Sequence, residues 1–254
     1  MRLTVVGCSG SFPGPDSPAS CYLVEAEGGE GRTWRILLDL GSGALGRLQA
    51  HADPLAVDGV FLSHLHPDHW FDMSGYYVLR KYHPEGPQPR IPVYGPTGTA
   101  ARMATAYGLP ERPGMTEEFE FHEYPKGETV TVGPFRVDVV RVVHPVEAYA
   151  IKVSNAGRSL VYSGDTGACD ALVDFAHGTD LLLAEASFRE GDDNPVDLHM
   201  TGKEAAETAV RSGARRLVLT HIPPWHERET ALAEARPVYD GPLELARCGA
   251  TYDL

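Results

Sequence analysis

The stretch FLSHLHPDHW, from Phe61 to Trp70, places three histidines and an aspartate within six positions directly behind an apolar run. Lone pairs at this density are costly to bury unless a positive charge organises them. From a loop behind a buried strand, His64 and His66 can converge on one point while Asp68 and His69 reach a second. Neutral imidazoles and carboxylates are good ligands for Zn²⁺ and similar divalent ions. The order HxHxDH favours a metal site over a surface loop that merely happens to be rich in histidine.

A closed pair of sites needs further ligands, and three candidates share one kind of position. His144 ends FRVDVVRVVH, Asp165 closes the run RSLVYSGD, and His221 ends RRLVLTH, each at the C-terminal end of an apolar strand. A carboxylate can bridge two cations where a single imidazole cannot, which makes Asp165 the natural shared ligand. His64, His66, Asp68, His69, His144, Asp165 and His221 then supply seven protein ligands, suited to two divalent ions sharing Asp165 and one water. The mixed imidazole and carboxylate set suits Zn²⁺, with Mn²⁺ or Fe²⁺ as alternatives.

Positioning these side chains requires a layered scaffold. Runs rich in β-branched residues or leucine, closed by Gly, Pro, Asp or His, predict strands at Leu3–Val6, Cys21–Glu25, Trp34–Asp39, Gly59–Leu62, Ile91–Tyr94, Phe135–Val143, Ala148–Val153, Ser159–Tyr162, Leu181–Glu185 and Arg216–Thr220. Helical patterns cover Ala44–His51, Asp72–Tyr82, Thr97–Tyr107, Ala171–His177 and Thr201–Ser212. The last carries a capping box, Thr201 with Glu204, and a stop at Gly213. Strands and helices interleave without linker or repeat, which predicts a single layered α/β domain over residues 1–254. Asp39, His64, His144, Asp165 and His221 all fall just after strands, where such a scaffold places its chemistry.

Composition narrows the possible partners. No run approaches the ~20 apolar residues of a membrane helix, and MRLTVVGCSG reads as a first strand rather than a secretory segment. The four cysteines, Cys8, Cys21, Cys169 and Cys248, are scattered without CxxC, as expected of reduced thiols in a cytoplasm. Lys and Arg total 22 against 35 acids, a net charge of −13 that disfavours gripping a polyanion.

Taken together, Asp39, the HxHxDH of residues 64–69, His144, Asp165 and His221 resemble the five motifs of the metallo-β-lactamase superfamily, over nearly the whole chain from LTVVGCSGSFPG to LVLTHIPP. The resemblance implies a four-layered αββα sandwich with a binuclear site along one edge. One ion would take His64, His66 and His144, the other Asp68, His69 and His221, with Asp165 between them. Asp39, in LLDLGSG, would steady the histidine loop. The commonest true β-lactamases place cysteine at the position of Asp165, so the aspartate points to the phosphodiesterase-like branch.

HMTGKEAAETAVRSGARRLVLTH, IPVYGPTGT, VYSGDTG and LLLAEASF resemble ribonuclease Z and its relatives more closely still. That group implies that His199 passes a proton to the leaving oxygen; Glu185, at a strand end, is expected to orient His199, and Asp68 to orient the nucleophile besides binding metal. One departure bears on substrate. Bacterial ribonuclease Z carries a long tRNA-binding arm between the residues matching His144 and Asp165; here PVEAYAIKVSNAGRSLVYSG leaves room for two strands and a turn. With the acidic loop REGDDNP near His199, a small phosphodiester fits better than a polynucleotide. The chain resembles atypical class II cyclic nucleotide phosphodiesterases of actinobacterial type, which implies hydrolysis of a 3′,5′-cyclic nucleotide such as cyclic AMP to its 5′-monophosphate. Relatives often form homodimers. Three alternatives stay open: an RNA 3′-end nuclease, a hydrolase of thioesters or cyclic ribose phosphates, and a non-catalytic scaffold, a class that usually loses metal ligands.

Two further groups of residues have plain readings. Tyr22, Phe71, Tyr76 and Tyr77 would either offer a stacking wall for a base or simply be core. His51, His83, His122, His177 and His226 lack matching partners and read as surface or helix-end residues. GCSGSFPGPDSPAS, the loop after the first strand, is placed to border the site but lacks the lysine and spacing of a phosphate cradle.

Overall fold

The computed structural model describes residues 1–125 and 127–254. Its strands are β1 Arg2–Gly7, β2 Cys21–Glu27, β3 Thr33–Leu38, β4 Gly59–Phe61, β5 Ile91–Gly95, β6 Phe119–Glu123, β7 Val130–Val132, β8 Phe135–Arg141, β9 Tyr149–Asn155, β10 Arg158–Tyr162, β11 Leu181–Glu185, β12 Leu217–Thr220, β13 Leu243–Leu245 and β14 Thr251–Asp253. They form two mixed sheets, ordered β14-β1-β2-β3-β4-β5-β6 and β13-β12-β11-β10-β9-β8-β7. The helices are α1 Ala44–Leu48, α2 Pro67–Trp70, α3 Met73–Lys81, α4 Thr99–Tyr107, α5 Asp170–Phe175, α6 Gly202–Ser212 and α7 Arg228–Ala235.

Side chains alternate across a strand, so a strand buried on both faces reads as a continuous apolar run. Leu3, Val5, Tyr22, Ile36, Leu38 and Phe61 of the first sheet meet Val137, Ile151, Leu160, Tyr162, Leu183 and Val218 of the second in one inner core. Their neighbours along each strand face outward: Leu23, Leu37 and Val60 pack under α1, α3 and α4, and Val161, Leu182 and Leu219 pack under α5, α6 and α7. Helix, sheet, sheet, helix are therefore the four layers that the resemblance implies. Among the described residues no helix is long and apolar enough to cross a membrane.

The expected strands are all present, with ends shifted by one or two residues. Four short edge strands, β6, β7, β13 and β14, and helix α7 lie outside the expected set. FEFHE, LEL and TYD are half polar or only three residues long, and pairing with an existing sheet edge recruits them where local pattern does not. The helix expected from Asp72 begins at Met73, after a separate turn, α2, with Pro67 at its first position. The expected capping box is formed: Thr201 Oγ1 accepts from Glu204 N at 3.2 Å, and Glu204 Oε2 accepts from Thr201 N at 2.8 Å. It fixes the N-cap of α6, Thr201, two residues after His199.

Candidate metal centre

The C-terminal ends of β3, β4, β10, β11 and β12 open onto one edge of the sandwich and carry Asp39, His64, Asp165, Glu185 and His221. His144 arrives from the loop between β8 and β9, and His199 from the segment before α6. Two clusters result, each with its ligating atoms within 4.8 Å of one another: His64, His66, His144 and Asp165 in one, and Asp68, His69, Asp165 and His221 in the other. All seven residues expected as ligands are in them. A third group joins Glu185 and His199 to His221. His51, His83, His122, His177 and His226 are in none of these groups.

Asp165 stands between the clusters with its two oxygens turned to different sides. Oδ1 lies 3.3 Å from His69 Nε2 and 3.4 Å from His221 Nε2, while Oδ2 lies 3.7 Å from His64 Nε2. Within the second cluster, His69 Nε2 and His221 Nε2 approach to 3.1 Å, and Asp68 Oδ2 lies 3.1 Å from the latter. In the first, His144 Nε2 lies 3.1 Å from His66 Nδ1.

The opposite ring nitrogens are held by the protein, which orients the histidines. Asp39 is fully buried, and its Oδ2 accepts from His69 Nδ1 at 2.7 Å, Ser63 Oγ at 2.8 Å and Tyr162 OH at 2.8 Å. Its Oδ1 accepts from Ser63 N at 2.7 Å. Ser63 Oγ in turn receives His64 Nδ1 at 3.1 Å. His221 Nδ1 donates to Ser187 Oγ at 2.8 Å, whose hydroxyl donates to the His221 carbonyl at 2.7 Å. His144 Nδ1 donates to the Leu198 carbonyl at 2.9 Å. With their protons placed there, the Nε2 lone pairs of His64, His69, His144 and His221 face inward, the arrangement of a metal-binding imidazole. Ser63, Tyr162 and Ser187 were not singled out in the sequence, although LSH and EASF place both serines beside recognised motif residues.

Whether these residues fit divalent ions is answered by their own polar atoms. His64 Nε2 and Asp165 Oδ1 are buried without a hydrogen-bond partner, an expensive condition for a carboxylate inside a protein. Burial, with His69 close by, drives His64 well below its ordinary pKa, and burial lowers His66 and His144 as well. These three remain neutral ligands. Burial works against charge on His69 too, but Asp165, Asp68 and Asp39 outweigh it and raise that imidazole well above its usual value. Asp68 and Asp165 pay burial and are nonetheless held below the carboxylate range, Asp68 chiefly by His69 and Asp165 chiefly by His221 and His69. Two ionised carboxylates among five imidazoles form a donor set that divalent cations complete.

The backbone conforms to the site. Asp39 and His221 sit in the left-handed region at φ 59° and 57°, which side-chain-bearing residues seldom adopt; such local strain clusters at functional sites. Gly41 is required by close approach, since a Cβ there would lie 1.8 Å from the Asp68 carbonyl oxygen.

Beside the second cluster, His199 Nδ1 bonds Glu185 Oε1 at 2.9 Å and lies 4.0 Å from Asp165 Oδ2. The Glu185 carboxylate is fully buried and also accepts from Thr166 N at 2.7 Å. Burial alone would lower the His199 pKa, but Glu185 reverses this and the imidazole is pushed up to about 9. The pair can hold a proton for delivery at neutral pH.

The aromatic residues divide. Tyr22 bonds Thr220 Oγ1 at 2.7 Å within the sandwich, Tyr76 donates to the Pro54 carbonyl at 2.7 Å, and Tyr77 is buried against Tyr107, so these three are core. Phe71 alone of the four reaches the surface. Sequence reading missed an exposed pair, Phe12 and Trp225, in the loops after β1 and β12; a tryptophan directly behind two prolines was the available signal.

The family model of the β-lactamase superfamily domain matches residues 34–222. An uncharacterized protein of Mycobacterium tuberculosis is 44% identical over 258 positions, covering 100% of this chain and 92% of that protein. Ribonuclease Z of Myxococcus xanthus is 29% identical over 308 positions, covering 100% of this chain and 98% of the enzyme. The crystal structure of the metallo-β-lactamase fold protein YhfI from Bacillus subtilis superposes with a TM-score of 0.85 at 27% identity, covering 99% of this chain and 98% of the other.

Proposed function

The chain belongs to the β-lactamase superfamily and is a metal-dependent hydrolase, and from that premise we propose that it hydrolyses a small phosphodiester, a 3′,5′-cyclic nucleotide such as cyclic AMP, to its 5′-monophosphate. The observation that carries the reading is Asp165, whose two oxygens face separate imidazole clusters while the His199–Glu185 pair stands alongside. This arrangement supports two divalent ions, with His64, His66 and His144 on one, Asp68, His69 and His221 on the other, and Asp165 shared. The imidazole-rich set supports zinc. When bound, the ions would neutralise the non-bridging phosphate oxygens and supply a nucleophilic water at neutral pH.

The chain's own residues do the rest. Asp39, Ser63 and Ser187 keep the imidazoles aimed inward, and Asp68 sits where it can orient the attacking water. His199, its Nδ1 held by Glu185, presents Nε2 to the leaving oxygen and delivers the proton that the departing ribose alkoxide needs.

Substrate size follows from what lies between His144 and Asp165. β9 and β10 are joined by a two-residue turn, Ala156–Gly157, with φ 49° and 77°, and no arm extends there. The alignment with the Myxococcus xanthus ribonuclease Z needs 308 positions for the 254 residues of this chain, leaving about fifty in the ribonuclease without counterpart. Both support a substrate smaller than tRNA. Ribonuclease activity is the second reading, favoured by full-length similarity to that enzyme.

The test is hydrolysis by the zinc-loaded protein of a 3′,5′-cyclic nucleotide, a 2′,3′-cyclic nucleotide, bis(p-nitrophenyl) phosphate and a tRNA precursor, side by side, with Asp165→Ala as control. Turnover of the 3′,5′-cyclic substrate, lost in the variant, is expected. Cleavage of the tRNA precursor in preference to every small ester would overturn the proposal.

A further inference from the structure

Two loops meet beside His221, one of the candidate ligands. One follows β1, the other follows β12, and backbone contacts lock them together: His221 N donates to the Cys8 carbonyl at 3.1 Å, and Gly10 N donates to the Ile222 carbonyl at 3.2 Å. A Cβ on Gly10 would lie 2.2 Å from the His221 carbonyl oxygen and 3.1 Å from its Nδ1, so this position touches a candidate metal ligand directly. Phe12 stands two residues beyond Gly10, a span of at most about 7 Å, and its N–H turns back to the Gly10 carbonyl at 2.7 Å. Trp225 stands four residues beyond His221, in a turn closed by His226 N to the Pro223 carbonyl at 2.9 Å.

The two rings meet with centroids 4.9 Å apart and planes at 41°, yet Phe12 is 40% and Trp225 63% exposed. The indole N–H is engaged by His226 Nε2 at 3.1 Å, which sets the orientation of a ring that stays 63% exposed beside Phe12. Prolines 13, 223 and 224 stiffen the loops, so little conformational entropy remains to be lost when something stacks there. The platform carries no charge, in a molecule whose net charge is −13. Its natural ligand is flat and aromatic, and stacking accepts any base because every base has a π-face.

We propose that Phe12 and Trp225 form the platform on which the heterocyclic base of a mononucleotide stacks, while its phosphate lies at the Asp165 clusters. This assignment rests on the phosphodiester reading above and narrows it to nucleotides. A single aromatic pair serves one base, which matches a mononucleotide. Phe12 and Trp225 thereby take the part for which Tyr22, Tyr76 and Tyr77 are too deeply buried.

Two measurements test it. In the first, adenosine 5′-monophosphate and ribose 5-phosphate are titrated separately into zinc-loaded protein while tryptophan fluorescence is followed. Trp70 is buried and Trp34 only partly accessible, so a saturable change with the nucleotide alone, abolished in Trp225→Phe, is expected. In the second, KM is compared for 3′,5′-cyclic AMP and for the abasic methyl riboside 3′,5′-cyclic phosphate. Trp225→Ala should raise KM for the nucleotide by roughly 5- to 150-fold, the equivalent of one stacked base, and bring the two substrates together; Trp225→Phe should restore most of the difference. The exposure of Trp225 keeps either variant folded. An equal fluorescence response to both phosphates, or an unchanged KM ratio in Trp225→Ala, would overturn the platform. Absence of turnover of any phosphodiester by the unmodified protein would instead remove the functional reading, and the fluorescence titration would still judge the platform.

Discussion

Asp39 touches no substrate in this scheme, yet it organises the site, which makes Asp39→Asn the most informative perturbation. The carboxylate is fully buried and accepts four hydrogen bonds, three at Oδ2 from His69, Ser63 and Tyr162 and one at Oδ1 from Ser63 N. The amide is isosteric but replaces one acceptor with a donor. Its least costly orientation keeps oxygen at the Oδ2 position, serving three donors, and turns NH₂ towards Ser63 N. That sets the amide NH₂ against the Ser63 N–H and leaves these buried donors without acceptors, at a cost of ~1–3 kcal/mol for each unsatisfied group, and removes the charge that strengthens the bond to His69. In a domain of this size ~2 kcal/mol corresponds to a fall in melting temperature of roughly 4–8 °C. Loosening His69 should also weaken ion binding at its cluster by ~10–100-fold. Calorimetric zinc titration and thermal melts of the metal-free protein measure the two effects separately. A variant that melted normally and bound both ions with unchanged affinity would refute the account of Asp39 as the hub of the histidine loop.

Other perturbations follow from the same geometry. His199→Ala should lower kcat by ~10²–10⁴, with the largest loss on substrates whose leaving group most needs a proton. Because His199 is held protonated up to about pH 9, activity should decline as pH rises through that value, and a pH–rate profile of His199→Ala should lack this limb. Linkage has the same sign: the charged form is favoured in the fold, so its stabilising contribution is complete below the ordinary histidine pKa and is lost as pH rises through about 9. Asp165→Ala should bind fewer than two ions by elemental analysis, since both clusters lose a shared ligand. Chelation should lower the melting temperature, because ions present at a thousand times their Kd add ~4 kcal/mol of stability; an unchanged melt with and without chelator would argue against tight metal binding. Gly41→Ala should unfold the region around α2 or fail to fold, as its methyl group would overlap the Asp68 carbonyl oxygen, and a circular dichroism melt would read the loss.

How much of this was legible in the linear chain differs by scale. Strands buried on both faces announce themselves as continuous apolar runs, so LTVV, RILL, LVY and LLLAE could be placed without a structure. Ligand chemistry was equally local: HxHxDH is a property of six successive residues, and His144, Asp165 and His221 each mark the end of an apolar strand. Edge elements escaped because β6, β13 and β14 are defined by the strand beside them, not by their own pattern.

The sequence by itself therefore determined the layered scaffold and which side chains can hold cations, since both rest on residue type and short spacing. Only the tertiary structure decided how those side chains are held and what surrounds them. The separate faces of Asp165, the four bonds converging on Asp39, the clamp of Ser187 on His221 and the approach of Gly10 to that histidine join residues 24 to more than 200 positions apart. The same holds for Tyr22 and Trp225, two aromatic residues of similar chemistry. Sheet pairing buries one in the core and a proline turn leaves the other in solvent, and no local pattern distinguishes those outcomes because burial is a property of what packs against a residue.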